Sequence, residues 1–156
     1  MSLKLIREAA QFFVNHAVSK RIKPNISIIL EFSPEIMRYN ALIEKFEKYT
    51  GECEPVYNNG LRPREFIIRV DSSQSVRYIL QTIAHEVVHV GQYSSGRLKD
   101  YVRTKTNKIK WDDWVYDFGE HDDCDSDLDY YMSPWEIEAY GMQVGLCKLY
   151  IKYRKS

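Results

Sequence analysis

The sequence predicts an α+β fold in which helices pack on one small, mostly antiparallel sheet. Long segments place apolar residues at three-to-four spacing, which is typical of amphipathic helices, and short β-branched and aromatic runs bounded by turn residues indicate strands. The chain has 156 residues, a length that suits one domain with its own core. Residues 1–156 are therefore interpreted as a single domain.

The first half of the chain alternates between helical and extended patterns. The predicted elements are a helix over 3–20, a strand over 26–32, a helix over 33–49, and strands over 52–57 and 65–70. The second of these helices is predicted because Ser33 suits the N-cap, Pro34 suits the first helical position and Gly51 suits a helix end. The strand over 66–70 is also a candidate edge that could pair with an extended peptide.

The second half is organised around two predicted helices. One covers residues 74–96, with N-cap oxygens available on residues 71–73 and with Gly96 as a stop. The other runs from residue 134 to about residue 153. The segment between them is the least regular part, and short strands are predicted near 108–111 and 115–118.

Composition narrows the classes of partner. The chain carries 22 basic and 22 acidic residues, so its zero net charge predicts neither nucleic acid nor an anionic membrane as a main partner. No apolar run approaches membrane-spanning length, and the N-terminus shows no signal-peptide cleavage site. Cys53, Cys124 and Cys147 are odd in number and widely spaced, so they predict no disulfide framework. These features favour a cytoplasmic protein.

The run His85-Glu86-Val87-Val88-His89 is the strongest functional signal. On a helix, His85 and His89 lie one turn apart on one face, where both imidazoles can reach one tetrahedral metal ion. Glu86 lies next to them and can take a proton from a water activated by the metal. The pattern predicts Zn2+ as the cofactor, with His85 and His89 as ligands and Glu86 as the catalytic base.

A third zinc ligand must come from elsewhere, because Gln92 and Ser95 occupy the positions that a longer histidine motif would need. The C-terminal helix offers two glutamates. Glu136 fits a capping box with Ser133, which would occupy it structurally, whereas Glu138 borders the predicted core-facing stripe of Trp135, Ala139, Met142, Leu146, Leu149 and Tyr153. A carboxylate there is costly unless it is paired or bound to metal. Glu138 is therefore predicted as the third ligand, ahead of Glu136.

Two alternatives involve the acidic segment before this helix. His121 is a rival third ligand, or a group that faces the substrate. Asp123, Asp125, Asp127 and Asp129 superficially resemble a calcium loop, but Tyr130 stands where such a loop needs glycine. The segment is interpreted as a solvated loop.

These residues resemble the gluzincin type of zinc metallopeptidase, which combines HExxH with a downstream glutamate ligand on a second helix, often followed by alanine. The match is His85-Glu86-x-x-His89 with Glu138-Ala139. The chain is more closely similar to small phage and bacterial metallopeptidase-like proteins, through the stretches 85–93 and 134–139. The resemblance covers about residues 65–150 and implies a minimal zincin-like core, zinc and peptide-bond hydrolysis. Many gluzincins carry an acidic residue four positions after the ligand glutamate, and here that position is Met142.

The expected function is zinc-dependent hydrolysis of a peptide or protein substrate, with Glu86 moving the proton from water to the leaving amine. Tyr130, Tyr131, Tyr140 and His121 are candidate donors to the oxyanion. The alternative function is a non-catalytic metal-binding phage accessory or structural protein with the same fold. A DNA-associated protease that uses His121 as ligand is a third interpretation, and the neutral charge argues against it. The sequence does not specify the oligomeric state.

Overall fold

The protein is α+β, as predicted. A computed structural model describes residues 2–40, 44–57, 62–100, 108–117 and 131–156. The helices are α1 (Leu3–Ala17), α2 (Val76–Ser94) and α3 (Pro134–Lys155), and a short 3-10 turn covers Lys23–Asn25. The strands are β1 (Ser27–Ser33), β2 (Ile36–Asn40), β3 (Lys45–Tyr49), β4 (Gly51–Val56), β5 (Glu65–Asp71), β6 (Leu98–Asp100), β7 (Lys108–Trp111) and β8 (Trp114–Asp117).

The main sheet has the strand order β1-β5-β4. β5 pairs parallel with β1 and antiparallel with β4, and its alternating residues Phe66, Ile68 and Val70 are buried on one face. Residues 66–70 suited an edge strand and an internal strand about equally by sequence, and the internal alternative is confirmed, because both sides of β5 carry ladder hydrogen bonds. The outer strand on the side of the HExxH helix is β4.

The three helices share one apolar core with this sheet. Ile83 and Val87 of α2 belong to the same buried cluster as Ile68 of β5, together with Phe13 of α1 and Tyr150 of α3. The Tyr150 hydroxyl also donates a hydrogen bond to the carbonyl of Leu5 at 3.2 Å. The C-terminal helix is thereby fixed against both the N-terminal helix and α2.

The ends of α2 are close to those predicted. Its N-cap is Ser75, whose hydroxyl accepts from the Tyr78 amide at 3.4 Å. Asp71 instead accepts from the amide of Ser73 at 2.9 Å and so belongs to the preceding turn. Gly96 follows the helix with φ +77°, the left-handed conformation that glycine adopts without strain.

The helix predicted over 33–49 is wrong, since its described residues include two strands, β2 and β3, which pair antiparallel, Ile36 with Tyr49 and Asn40 with Lys45. β1 continues through Ser33, whose hydroxyl donates to the carbonyl of Glu35 at 2.8 Å rather than capping a helix. Strand pairing with a neighbouring segment has overridden a local helix-start signal.

A second small sheet, β6-β7-β8, lies between α2 and α3 in the sequence. The strands predicted near 108–111 and 115–118 correspond to β7 and β8. Leu98, Trp111 and Trp135 form a buried cluster that joins this sheet to the start of α3. Within the described residues, no helix combines the length and apolar character needed to cross a membrane.

Candidate metal centre

The HExxH residues occupy the buried middle of α2. His85, Glu86 and His89 are 6%, 6% and 7% exposed. Most residues of α2 around these three are apolar and buried. The polar groups are therefore enclosed and do not lie on a solvent-facing side. Burial of this kind is costly unless each group has a specific partner.

Glu136 in the first turn of α3 is the partner of the two histidines. Its two carboxylate oxygens lie 3.0 Å from His85 Nε2 and 3.2 Å from His89 Nε2, and the two Nε2 atoms are 3.2 Å apart. Among the described histidines, cysteines and acidic residues, these three form the group whose ligand atoms converge closely enough to hold one metal ion.

The spacing of these atoms suits a small tetrahedral ion. Zinc with bonds of about 2.0–2.1 Å to nitrogen and oxygen places its ligand atoms about 3.3 Å apart. The two Nε2 atoms are 3.2 Å apart, and each lies 3.0–3.2 Å from one of the two Glu136 oxygens, which is close to that spacing. Two histidines and one glutamate are also the ligand set of a catalytic rather than a structural zinc site. The site can therefore bind a metal ion, although its ligands do not identify the metal.

The carboxylate predicted as third ligand has another partner. Glu138 forms a two-pronged ion pair with Arg97, in which both N–O distances are 3.0 Å. Its Oε1 atom also accepts from Gln92 Nε2 at 3.3 Å. Glu136 therefore replaces Glu138 in the candidate ligand set. The capping-box role expected for Glu136 gives way to contacts with the two histidines.

The Nδ1 atom of each histidine, which is the ring nitrogen not in contact with Glu136, contacts a glutamine oxygen. His89 Nδ1 lies 2.7 Å from Gln92 Oε1, and His85 Nδ1 lies 3.0 Å from Gln143 Oε1. Sequence reasoning missed both glutamines as site residues. Each had a signal available: Gln92 lies one turn after His89 on α2, and Gln143 lies two turns after Glu136 on α3.

Glu86 lies in the same cleft as the candidate ligands. A cavity of about 160 Å³ is lined by Glu86, His89 and Glu136 and also by Gly51 and Cys53 of β4. Burial raises the pKa of Glu86 above its usual value, although the neighbouring His89 and His85 oppose this. Burial likewise raises the pKa of the Cys53 thiol.

The ion pairing within the group shifts two of its pKa values in opposite directions. Burial opposes the charged form of His89, but the hydrogen bond to Glu136 and the Glu86 charge outweigh it and raise the His89 pKa to about 9. Burial also opposes ionisation of Glu136, but hydrogen bonds from His85 and His89 lower its pKa to about 2. In the metal-free chain, a proton on His89 therefore offsets the negative charge of Glu136.

The remaining predicted site residues divide into two groups. Tyr140 packs its ring against His85, with centroids 4.4 Å apart, and Tyr131 lies against Tyr140 at 5.6 Å. His121, Tyr130 and the aspartates at 123, 125, 127 and 129 lie outside the described residues.

Comparisons with protein-family models, curated proteins and solved structures find no match to this chain.

Proposed function

We propose that this protein is a zinc-dependent metallopeptidase, with zinc held by His85, His89 and Glu136 and with Glu86 as general base. The observation that carries this proposal is the convergence of two imidazole nitrogens and the Glu136 carboxylate, with separations of 3.0–3.2 Å, beside the buried carboxylate of Glu86. The resemblance of the HExxH helix to that of gluzincins supports the same reaction class, whereas the Glu138-Ala139 part of the resemblance falls on a carboxylate that is paired with Arg97.

A zinc ion in this position would supply Lewis acidity, which lowers the pKa of a water molecule and polarises a substrate carbonyl. The ligand set of two neutral imidazoles and one carboxylate leaves the ion with net positive charge. It also leaves room for a fourth, non-protein ligand, which a catalytic site requires.

Glu86 is the residue that would move the proton. Its carboxylate belongs to the same turn of α2 as the two histidines and lines the cavity beside His89 and Glu136. A buried carboxylate with a raised pKa is suited to accept a proton from water and to return it to the leaving amine. Among the described candidates for contact with the oxyanion, Tyr140 is the one that packs on His85.

The experiment is a cleavage assay with unfolded protein and a peptide library as substrates. Wild-type protein purified without chelator is compared with Glu86→Gln, and zinc content is measured for both. The expected result is zinc in both proteins, with hydrolysis in the variant lower by about 10²–10⁴-fold, because the base is lost while the ligands remain. A chelator should abolish wild-type cleavage, and added zinc should restore it.

Two results would contradict the proposal. Cleavage by Glu86→Gln at the wild-type rate would show that Glu86 is not the base. Zinc-loaded wild-type protein that cleaves none of these substrates would favour the non-catalytic metal-binding function.

A further inference from the structure

We propose that Gln92 and Gln143 are positioning residues that fix the tautomers of the two histidine ligands, and that Glu138 and Arg97 hold Gln92 in place. This inference rests on the proposed zinc site. It assigns a role to the carboxylate that borders the site without entering it, and to two amides that the peptidase mechanism does not otherwise use.

The hydrogen bonds determine which imidazole nitrogen carries the proton. A glutamine Oε1 atom accepts hydrogen bonds and cannot donate one. The contacts of Gln92 Oε1 with His89 Nδ1 at 2.7 Å and of Gln143 Oε1 with His85 Nδ1 at 3.0 Å therefore require a proton on each Nδ1. In the neutral imidazole this leaves the Nε2 lone pair free, and Nε2 is the atom of each ring that faces Glu136.

Gln92 acts as acceptor and donor at once. The side chain is only 1% exposed. Its Nε2 atom donates to the carbonyl of Trp135 at 3.0 Å and to Glu138 Oε1 at 3.3 Å. A carboxylate in this position could accept from His89 but could not donate to the carbonyl of Trp135, and it would face Glu138 as a like charge. The chemistry of the position therefore requires an amide.

Glu138 is itself fixed from the far side. Arg97 donates a hydrogen bond to each of the two Glu138 oxygens at 3.0 Å. This bidentate geometry restricts the carboxylate more than a single contact does. The Arg97 guanidinium lies 4.4 Å from the centre of the Trp111 ring. The orientation of His89 is thereby connected through Gln92, Glu138 and Arg97 to the β6-β7-β8 sheet.

Gln143 differs because its described contact is that of Oε1 with His85. A carboxylate at position 143 would keep this acceptor and would add negative charge to the imidazole. The two glutamines should therefore respond differently to the same substitution, which separates positioning from general packing.

The test uses four variants of the full chain: Gln143→Leu, Gln143→Glu, Gln92→Leu and Gln92→Glu. Zinc affinity is measured by competition with a chromophoric chelator, and histidine tautomers are measured by ¹⁵N NMR. Both leucine variants should bind zinc about 10–100-fold more weakly than the wild type. Gln143→Glu should recover wild-type affinity or exceed it, whereas Gln92→Glu should remain weak. Circular dichroism melts establish that each variant is folded.

Wild-type affinity in both leucine variants, or equal recovery in both glutamate variants, would overturn the positioning role. Absence of zinc binding by the wild type would instead contradict the proposed function. In that case the hydrogen bonds of the metal-free chain still decide the inference, because the Nδ1 atoms contact the two glutamines without a metal. The expected signal is an Nδ1 proton on both rings that is protected from exchange in the wild type and unprotected in the leucine variants, and equal protection in those variants would refute it.

Discussion

Glu136 and Glu138 are two positions apart on α3, yet their carboxylates contact different residues. Glu136 lies within 3.2 Å of two histidine Nε2 atoms, whereas Glu138 is paired with the Arg97 guanidinium at 3.0 Å. Two residues along a helix correspond to a rotation of about 200°, so the two side chains leave α3 in nearly opposite directions. The Glu136 side chain reaches the two histidines of the candidate metal site, and the Glu138 side chain reaches Arg97 and Gln92.

Glu136→Gln should therefore abolish tight zinc binding, whereas Glu138→Gln should weaken it only moderately. We expect a loss of more than about 100-fold in affinity for the first variant and of about 10-fold for the second, as for a ligand and for a residue behind a ligand. Zinc content by mass spectrometry and chelator competition measure both. A larger loss in Glu138→Gln would restore Glu138 as the third ligand.

The stability of the metal-free chain should fall as the pH rises through about 9. The His89 pKa is raised in the folded state from 6.5 to about 9, so the folded state binds the proton more tightly than the unfolded state. The resulting stabilisation is complete below about pH 6.5 and is lost as the pH passes about 9. Zinc binding has the opposite dependence, because the metal requires deprotonated imidazoles.

Denaturant unfolding in the presence of a chelator, at about pH 6 and about pH 9.5, measures this effect. We expect a lower free energy of unfolding at the higher pH in the wild type and a smaller difference in His89→Gln. Equal differences in the two proteins would assign the pH dependence to another group.

Gly51→Ala should impair hydrolysis more than metal binding. A Cβ atom at this position would overlap Thr82 Cγ2 and would lie 3.3 Å from Glu86 Oε1, so β4 leaves no room for a side chain beside Glu86, the proposed base. A misplacement of about 1 Å near the reacting groups can reduce turnover by about 10²-fold. The measurement is the cleavage rate together with zinc affinity, which should change little.

The double variant Gly51→Ala/Thr82→Ser provides the control, because serine lacks the methyl group that overlaps. Hydrolysis should partly recover in it. No recovery would indicate that the alanine acts through the backbone of β4 rather than through the crowding of Thr82 and Glu86.

Gly91→Ala and Gly145→Ala should change stability in opposite directions. A Cβ atom at Gly91 would lie 2.5 Å from the carbonyl oxygen of Ala17, whereas nothing lies within 4 Å of one at Gly145. We expect overpacking between α1 and α2 to cost about 1–3 kcal/mol at Gly91, and better helix propensity to gain about 0.5–1 kcal/mol at Gly145. Urea unfolding of both variants measures this, and stabilisation by Gly91→Ala would contradict the close approach of the helices.

The prediction of Glu138 as third ligand depended on the apolar pattern of α3. The predicted stripe included Leu149 and Tyr153, but these are exposed, and Cys147 and Tyr150 are buried instead. This helix carries apolar residues on several sides, so its pattern does not select one face. The face that meets the two histidines passes through Glu136, and Tyr150 indicates it only once its contacts with α1 are known.

The HExxH helix was more predictable because its signals agree with one another. The strand over Glu65–Asp71, the turn and the apolar run of α2 all lie where the local pattern places them. The hairpin over 36–49 was not, because Ser33-Pro34 is a valid helix start by itself and the pairing of Ile36 with Tyr49 is a non-local contact. Local patterns thus predicted two candidate ligands and the candidate base, while the positions of Glu136 and of the two glutamines depend on packing between distant segments.

The buried aromatic cluster beside α3 gives this protein an intrinsic optical reporter. Trp135 is the immediate neighbour of Glu136, and its ring centre lies 6.3 Å from that of Trp111. Trp114, the remaining tryptophan of the chain, is 73% exposed and should contribute a constant, red-shifted emission. Changes in the blue-shifted component of the fluorescence should therefore follow occupancy of the metal centre without any attached label.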